Sequence, residues 1–353
     1  MNKLGSQLQV LRVPTLDKTK MKSNHYWVMV LVSKLANLRV LKLHDRQCNF
    51  HVGQDFFKFL LKGLNYMTSQ GRQLQKVQIS NLKGFSTGEF MYPCLKSHSD
   101  LVSLCFLNSN ITLEDAKAIG KVLADFRQVR ELDLTNSSLD PAKTKEIADG
   151  LMRAKQLEIL KLGKNPRMGD AVSTVVYNLA FSPKIRHIDL SELSYSTADA
   201  AEAIYKLVKI SGAIETLILK NSGIVTHLKE DFFKALGENK TLKYLNLELS
   251  APAVGSSQAT LMGKAVAMNA YRNGALESLN LKNWFNSYSL FNNYISGLMI
   301  SVKDHEVWYG DKKLASEMEK EDLVAKLFCK LKYLNIDGCT LTGFPYNYKE
   351  IQK

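Results

Sequence analysis

Residues 129–140 read VRELDLTNSSLD, and the same spacing of apolar residues returns in LEILKL (157–162) and IRHIDL (185–190). The pattern is apolar-x-x-apolar-x-apolar, an alternation that is typical of a short strand with one buried face. Between residues 101 and 242, five consecutive intervals are 28 or 29 residues long. Eleven strands are predicted in all, near residues 8–13, 38–43, 74–79, 101–106, 129–134, 157–162, 185–190, 214–219, 242–247, 276–281 and 331–336. A regular period of this length indicates a repeat architecture.

The segments between the predicted strands show helical spacing. Thr112 and Asp115 can form a capping box, and apolar residues follow at intervals of three and four. In the next repeat, Asp140 suits the N-cap and Pro141 the first helical position. We therefore expect each repeat to contain one strand and one helix.

These repeats resemble the leucine-rich repeat of the long, ribonuclease-inhibitor-like type, over about Leu8 to Leu341. The resemblance implies an α/β solenoid shaped as a horseshoe, with a concave parallel sheet and helices on the convex side. In that family an Asn or Cys at the ninth position bonds the turn after the strand, and Asn165 and Cys339 stand there. Serine fills the same position at 109, 137, 222 and 250, whereas Arg46, Leu82, Leu193 and Trp284 depart from it.

We expect residues 1–353 to form a single domain of about eleven repeats, interrupted by an insertion at 284–330. The insertion begins with WFNSYSLFNNY (284–294), and the alternation in SVKDHEVWY (301–309) predicts a small hairpin. Two interpretations stay open: the insertion decorates a binding face, or it folds back over the core.

Composition limits the setting in which the chain works. The 353 residues carry a net charge of +13 and hold no apolar run long enough for a membrane span. No secretory signal is evident at the start, and five cysteines without a CxxC motif suit a reducing compartment. We expect a cytoplasmic protein, with association to the cytoskeleton open.

The basic residues are concentrated near the start of the chain. Residues 1–100 hold 15 Lys and Arg against 5 Asp and Glu. We expect a basic end that points outward from the sheet and attracts an acidic partner, formed by Arg12, Arg39, Lys42 and Lys76. Mixed charges that set register are expected mid-sheet at Arg130, Asp133, Lys161 and His187. Aromatic anchors are expected at Tyr244, Trp308 and Tyr333.

No motif for catalysis, a cofactor or a metal was identified: the sequence lacks a phosphate loop, GxGxxG, HExxH and GxSxG. The prediction is a non-enzymatic protein-binding or scaffold module within a larger complex, with a protein partner that carries an acidic surface. Nucleic acid is disfavoured because the basic residues and the aromatic residues fall at opposite ends of the sheet.

Two alternative functions are kept. A structural subunit of a cytoskeletal or ciliary assembly would explain the basic start and the absence of polar caps on the terminal repeats. A regulator of a small GTPase is the other, because the Ran GTPase-activating leucine-rich family has repeats of similar length. That family's acidic tail is missing here, and no arginine can be matched to its catalytic one.

Overall fold

The computed structural model describes residues 8–13, 21–44, 54–81, 92–93, 95–126, 128–193, 198–251, 253–272, 274–303 and 331–338. The chain divides into two compact units, residues 1–189 (unit 1) and residues 190–353 (unit 2). The single domain spanning residues 1–353 stays a prediction.

Unit 1 contains seven described strands that lie side by side in chain order, each pair parallel. They are β1 (Val10–Val13), β2 (Val40–His44), β3 (Lys76–Ser80), β4 (Ser103–Leu107), β5 (Glu131–Asp133), β6 (Ile159–Lys161) and β7 (His187–Asp189). The described helices of this unit are α1 (Met21–Lys34), α2 (Gln54–Ser69), α3 (Leu113–Asp125), α4 (Pro141–Leu151) and α5 (Ala171–Ala180).

Unit 2 repeats the same alternation with parallel strands in chain order. Its described strands are β8 (Thr216–Ile218), β9 (Tyr244–Asn246), β10 (Ser278–Asn280) and β11 (Tyr333–Asn335). Its described helices are α6 (Ala198–Ile210), α7 (Glu230–Glu238), α8 (Ser256–Tyr271) and α9 (Tyr288–Lys303), with a 3-10 turn at Gly223–His227. Parallel strands alternating with helices confirm the leucine-rich-repeat solenoid fold. None of the described helices is long and apolar enough to cross a membrane.

The repeat pattern sets which strand residues are buried. The fourth position of each hexapeptide points into the core, and Leu132, Leu160 and Ile188 are completely buried there. Each such side chain contributes about 2 kcal/mol through apolar burial. The third and fifth positions point to the opposite face of the sheet, because side chains alternate along a strand.

The predicted helix starts are confirmed in α3 and α4. The Thr112 side chain accepts from the Asp115 N–H while the Thr112 N–H donates to the Asp115 carboxylate, completing a capping box. The Asp140 side chain accepts from the Lys143 N–H at 2.9 Å, with Pro141 as the first helical residue. These bonds satisfy backbone N–H groups that have no partner within their own helix.

The turns after the strands are joined from one repeat to the next. Asn165 is completely buried, and its Oδ1 accepts from the N–H groups of Ser137 and Leu139. Its Nδ2 donates to the carbonyl oxygens of Leu134 and Leu162 at 2.8 and 2.7 Å. The predicted role of the ninth position is therefore confirmed at Asn165, while Cys339 lies outside the described residues.

Trp284, a predicted departure from the ninth position, takes over part of the same role. Its Nε1 donates to the carbonyl oxygen of Leu247 at 2.6 Å, and the side chain is buried. Soon after its start the predicted insertion forms a helix, α9, in which Tyr294 is buried, and Phe285 just before the helix is buried too. In the described part of the chain, the beginning of the insertion therefore contributes Trp284, Phe285 and Tyr294 to the core.

The predicted hairpin over 301–309 is wrong at its start, because residues 301–303 complete α9. Helical periodicity from residue 288 onward outweighs the short alternation that suggested a strand. Residues 304–330 lie outside the described part of the chain.

Candidate protein-interaction surface

The face of the sheet opposite the core carries two columns of side chains, which we call the open face. In unit 1 the third-position column follows the strand register through Val10, Val40, Lys76, Ser103, Glu131, Ile159 and His187. The fifth-position column runs beside it through Arg12, Lys42, Gln78, Cys105, Asp133, Lys161 and Asp189. Within a column, successive side chains come from neighbouring strands, whose backbones are about 4.8 Å apart.

Two predicted cations stand side by side at one end of the open face of unit 1. Arg12 on β1 and Lys42 on β2 are partners in register. Among the residues that the structure describes, neither makes an ion pair with a carboxylate. The like charges repel each other, so an anionic group bound between them would be favoured.

Lys76, the third cation of the predicted basic end, is already compensated. Its Nζ lies 2.9 Å from Oε2 of Glu131, and Ser103 on the strand between them donates to the same carboxylate. Burial acts to raise the pKa of Glu131, but the bonds from Ser103 and Lys76 outweigh it and hold the pKa below the usual range. Lys76 is therefore part of an internal network of the sheet.

The fifth-position column alternates in sign in the middle of unit 1. Lys161 is in register with Asp133 on one side and Asp189 on the other, and its Nζ lies 3.8 Å from Oδ2 of Asp133. Asp133 also has a structural task, because its Oδ1 accepts from the N–H and the hydroxyl of Thr135 at 3.0 and 2.6 Å. Asp133 and Lys161, two of the predicted register-setting residues, thus lie next to each other on the open face.

His187 occupies the third-position column next to these charges. Burial is the main reason that its pKa lies below the usual range, and Lys161 acts in the same direction. Its Nε2 is buried, and no hydrogen-bond partner is found for this atom within the described ranges. At neutral pH the imidazole is therefore uncharged and can offer this nitrogen only to a group that approaches closely.

Arg39 and Arg130 belong to neither column. Arg39 precedes β2, and its Nη1 donates to the carbonyl oxygen of Gln73 at 3.3 Å, so the expectation that it points outward from its strand is corrected. Arg130 precedes β5, and its Nη1 lies 3.6 Å from Oε1 of Glu158. Each arginine stands two residues before a leucine that points into the core, so by alternation it does not point to the open face. Each also precedes the first residue of its strand.

The open face of unit 2 is uncharged along its strands. The third positions are Thr216, Tyr244, Ser278 and Tyr333, in register from β8 to β11. The fifth positions are Ile218, Asn246, Asn280 and Asn335. Tyr244 and Tyr333 are thus placed in one column, as predicted anchors, whereas Trp308 lies outside the described residues.

Ion pairs line both sides of this uncharged strip. Before the strands, Lys243 pairs with Glu215 and Lys332 with Glu277, each at 2.9 Å. After the strands, Glu248 receives both Lys220 and Lys282, at 3.3 and 3.7 Å. Each of these four lysines therefore has a carboxylate close by, which weakens any attraction for a polyanion.

A cavity beside β3 and β4 was not foreseen from the sequence. It has a volume of about 600 Å³ and is lined by Gln75, Tyr92, Lys96, Ser99, Asp100, Val102, Asp125, Phe126 and Gln128. The Tyr92 hydroxyl donates to Oδ2 of Asp125 at 2.6 Å, and this bond raises the pKa of the phenol. Within the described ranges, no group of His, Cys, Asp and Glu is arranged to hold a metal ion.

No protein-family model matches the chain, and no curated protein matches it either. Solved structures do match, among them the crystal structure of the Rad7 and Elc1 complex of yeast. That match has 19% sequence identity and a TM-score of 0.43, and it covers 72% of this chain and 66% of that chain. The chain therefore spans just under two thirds of the solved chain. A similarity of this size carries no argument about fold, partner or activity.

Proposed function

We propose that the chain is a non-enzymatic protein-interaction module, a subunit of a larger cytoplasmic complex that binds its partner on the open face. The observation that carries the proposal is the pair Arg12 and Lys42, two cations in register without a carboxylate partner in the described part of the chain. An acidic element of a partner protein would complete this pair.

The rest of the open face supports binding better than catalysis. The titratable groups with shifted pKa values there, Lys76, Cys105, Glu131 and His187, owe those shifts to burial and to neighbouring side chains of the sheet. A rigid sheet of parallel strands loses little conformational entropy on binding, so modest contacts can add up. We also infer that the repeats are of the ribonuclease-inhibitor-like type, which the 28-residue spacing of β5, β6 and β7 supports.

The test is a charge reversal with a matched control. In the double variant Arg12→Glu/Lys42→Glu, capture of a fluorescein-labelled ten-residue polyglutamate peptide should weaken by about tenfold or more, since attraction is replaced by repulsion. Capture by the wild type should also fall as salt is raised from about 0.05 to 0.3 M. The control is Arg153→Glu/Lys155→Glu, an equal charge change on exposed residues of the turn before β6.

Equal weakening in both double variants would show that net charge alone attracts the peptide, and would contradict the proposal. Crosslinking and mass spectrometry of the endogenous protein would then identify the natural partner. Crosslinks near β1 and β2 are expected, since these strands carry the basic pair.

A second candidate, a structural subunit of a cytoskeletal or ciliary assembly, is favoured by exposed apolar residues in the same unit. Leu8 and Val10 at the edge strand β1 are 45% and 48% exposed. Tyr26 and Trp27 on α1 are 53% and 55% exposed and contact each other edge to face. Gel filtration of a native cell extract separates the candidates, because a structural subunit is expected only in particles much larger than 39.7 kDa.

A further inference from the structure

The third-position column of unit 2 alternates small and aromatic side chains. Thr216 on β8 is followed by Tyr244 on β9, Ser278 on β10 and Tyr333 on β11, each in register with the next. Leu217, Leu245 and Leu279 point into the core beneath them and are completely buried. The result is a ridged surface: two tyrosine ridges, with one trough over Ser278 between them and a second trough over Thr216.

Both tyrosines are accessible, and the hydroxyl of Tyr244 is held by a hydrogen bond. Tyr333 is 54% exposed, and Tyr244 is half-buried. The Tyr244 hydroxyl accepts from Nδ2 of Asn246 at 3.3 Å. The Asn246 and Asn280 side chains are in turn fixed, because their Oδ1 atoms each accept from the N–H two residues on, at 3.0 Å.

The spacing of the troughs selects the conformation of a bound chain. Strands in a sheet are about 4.8 Å apart, so Ser278 and Thr216, two strands apart, lie about 9.6 Å from each other. A polyproline II helix rises about 3.1 Å per residue, and its side chains return to the same face every third residue, after about 9.3 Å. An extended strand would return after about 6.8 Å, which matches neither one strand spacing nor two.

The charges favour the same occupant. The strip itself is uncharged, and each of the lysines beside it, Lys220, Lys243, Lys282 and Lys332, already has a carboxylate within 3.7 Å. A phosphate backbone or an acidic segment would have to compete with those carboxylates. Docking of proline-rich segments into grooves lined by aromatic side chains is a general mode of peptide recognition.

We propose that the open face of unit 2 binds a proline-rich segment of a partner protein in the polyproline II conformation, running across the strands, with prolines three residues apart in the troughs over Thr216 and Ser278. This rests on the proposed function, since it assigns part of the partner to the same open face. The segment is uncharged, and it is distinct from the acidic element expected at Arg12 and Lys42.

The test is fluorescence anisotropy of the full chain with labelled decaproline, which presents proline in every register, against a ten-residue Gly-Ser peptide. Decaproline is expected to bind and the Gly-Ser peptide not. Ser278→Tyr fills one trough and Tyr333→Ala removes one ridge, so each should weaken binding by about tenfold. Tyr333→Phe keeps the ring and should change binding by less than about twofold. Thermal unfolding of each variant verifies that the fold is retained.

Failure of decaproline to bind the wild type would overturn the proposal, and so would equal binding to the wild type and to a folded Ser278→Tyr variant. Neither result changes the interpretation of the polyglutamate experiment, which depends on Arg12 and Lys42 in unit 1. Conversely, suppose that the Arg12→Glu/Lys42→Glu and control variants weaken polyglutamate capture equally while decaproline still binds the wild type. That result would refute the role proposed for Arg12 and Lys42 and would leave the proline-binding proposal intact.

Discussion

Lys76 on β3 and Glu131 on β5 form an ion pair of 2.9 Å across the strand that separates them. Ser103 on that intervening strand donates to the same carboxylate, so three neighbouring repeats share one polar network. Lys76, which the sequence pattern predicts to attract an acidic partner protein, is thus paired within the sheet. The basic end of the open face is therefore smaller than the charge count of residues 1–100 indicates, and it is centred on Arg12 and Lys42.

Replacing Lys76 with Met should lower the free energy of unfolding by about 1 kcal/mol at pH 7, since the pair is partly exposed. The pKa of Glu131 is lowered in the folded protein, so its contribution is present above the unfolded pKa and is lost as the pH falls through the folded one. Urea unfolding at pH 7 and pH 3 should show the difference between wild type and variant shrinking in acid. A difference of the same size at both pH values would refute this account of the network.

His98 should make the protein acid-sensitive. It is completely buried, its Nδ1 accepts from the Leu74 N–H at 3.1 Å, and burial lowers its pKa to about 4. Because the folded pKa lies below the unfolded value of 6.5, the contribution of the neutral ring is complete above pH 6.5 and declines as the pH falls towards 4.

The expected slope from this one histidine is about 1.4 kcal/mol per pH unit, and it should be absent in His98→Gln. The measurement is the free energy of unfolding between pH 6.5 and pH 4.5 for both proteins. Parallel curves would show that His98 is not the group responsible.

Asn165→Ala should be among the most damaging single substitutions. It leaves the N–H groups of Ser137 and Leu139 and the carbonyl oxygens of Leu134 and Leu162 without their side-chain partner. Buried groups left unsatisfied cost about 1–3 kcal/mol each, so a loss of at least about 3 kcal/mol is expected. Asn178→Ala, a half-buried position on α5, is the control and should change stability by less than about 1 kcal/mol.

Gly150→Ala should weaken the packing of α4 against α3. A methyl group on Gly150 would overlap the carbonyl oxygen of Gly120 and come within 2.7 Å of its Cα. Both contacts are backbone, so the helices must separate, at an expected cost of about 2 kcal/mol. Gly212→Ala has open space around the new methyl group and should be neutral or slightly stabilising. Thermal melting of the two variants decides, and equal melting temperatures would contradict the close approach.

The fold could be predicted from the sequence because the apolar residues recur at the same spacing in each repeat. Each observed strand overlaps a predicted hexapeptide, and the caps at Thr112 and Asp140 lie where the residue types indicate. The role of Asn165 could also be predicted, because it follows from the ninth position of the repeat. These features could be predicted because each depends on a residue type that is preferred at one position of the backbone.

The polar network of the open face could not be predicted, because it joins strands that are two apart. Nothing in the alternation of a single strand indicates that Lys76 reaches Glu131, or that Arg39 bonds the backbone of the next repeat. Trp284 departs from the ninth-position residue types, yet its indole N–H replaces the usual amide donor. These outcomes depend on side-chain length and direction, which spacing alone does not encode.

The turns after the strands share a backbone conformation that the sequence also marks. The residue before the ninth position repeatedly adopts a positive φ, a conformation for which asparagine is among the most tolerant residues. The residues are Asn81, Asn108, Asn136, Lys164, Glu192, Asn221 and Asn283. The recurrence of asparagine at this position could have predicted the left-handed turn from the sequence alone.

The bonds of Asn165 have a consequence for how such a chain can lengthen. The amide stands in one repeat and satisfies the turn of the repeat before it, so donor and acceptor are offset by one period. A tandem duplication that adds 28 residues to the chain would copy both the asparagine and a turn for it to bond. The copied asparagine would satisfy the turn of the repeat before it, so insertion of one whole period preserves the existing bonds of Asn165.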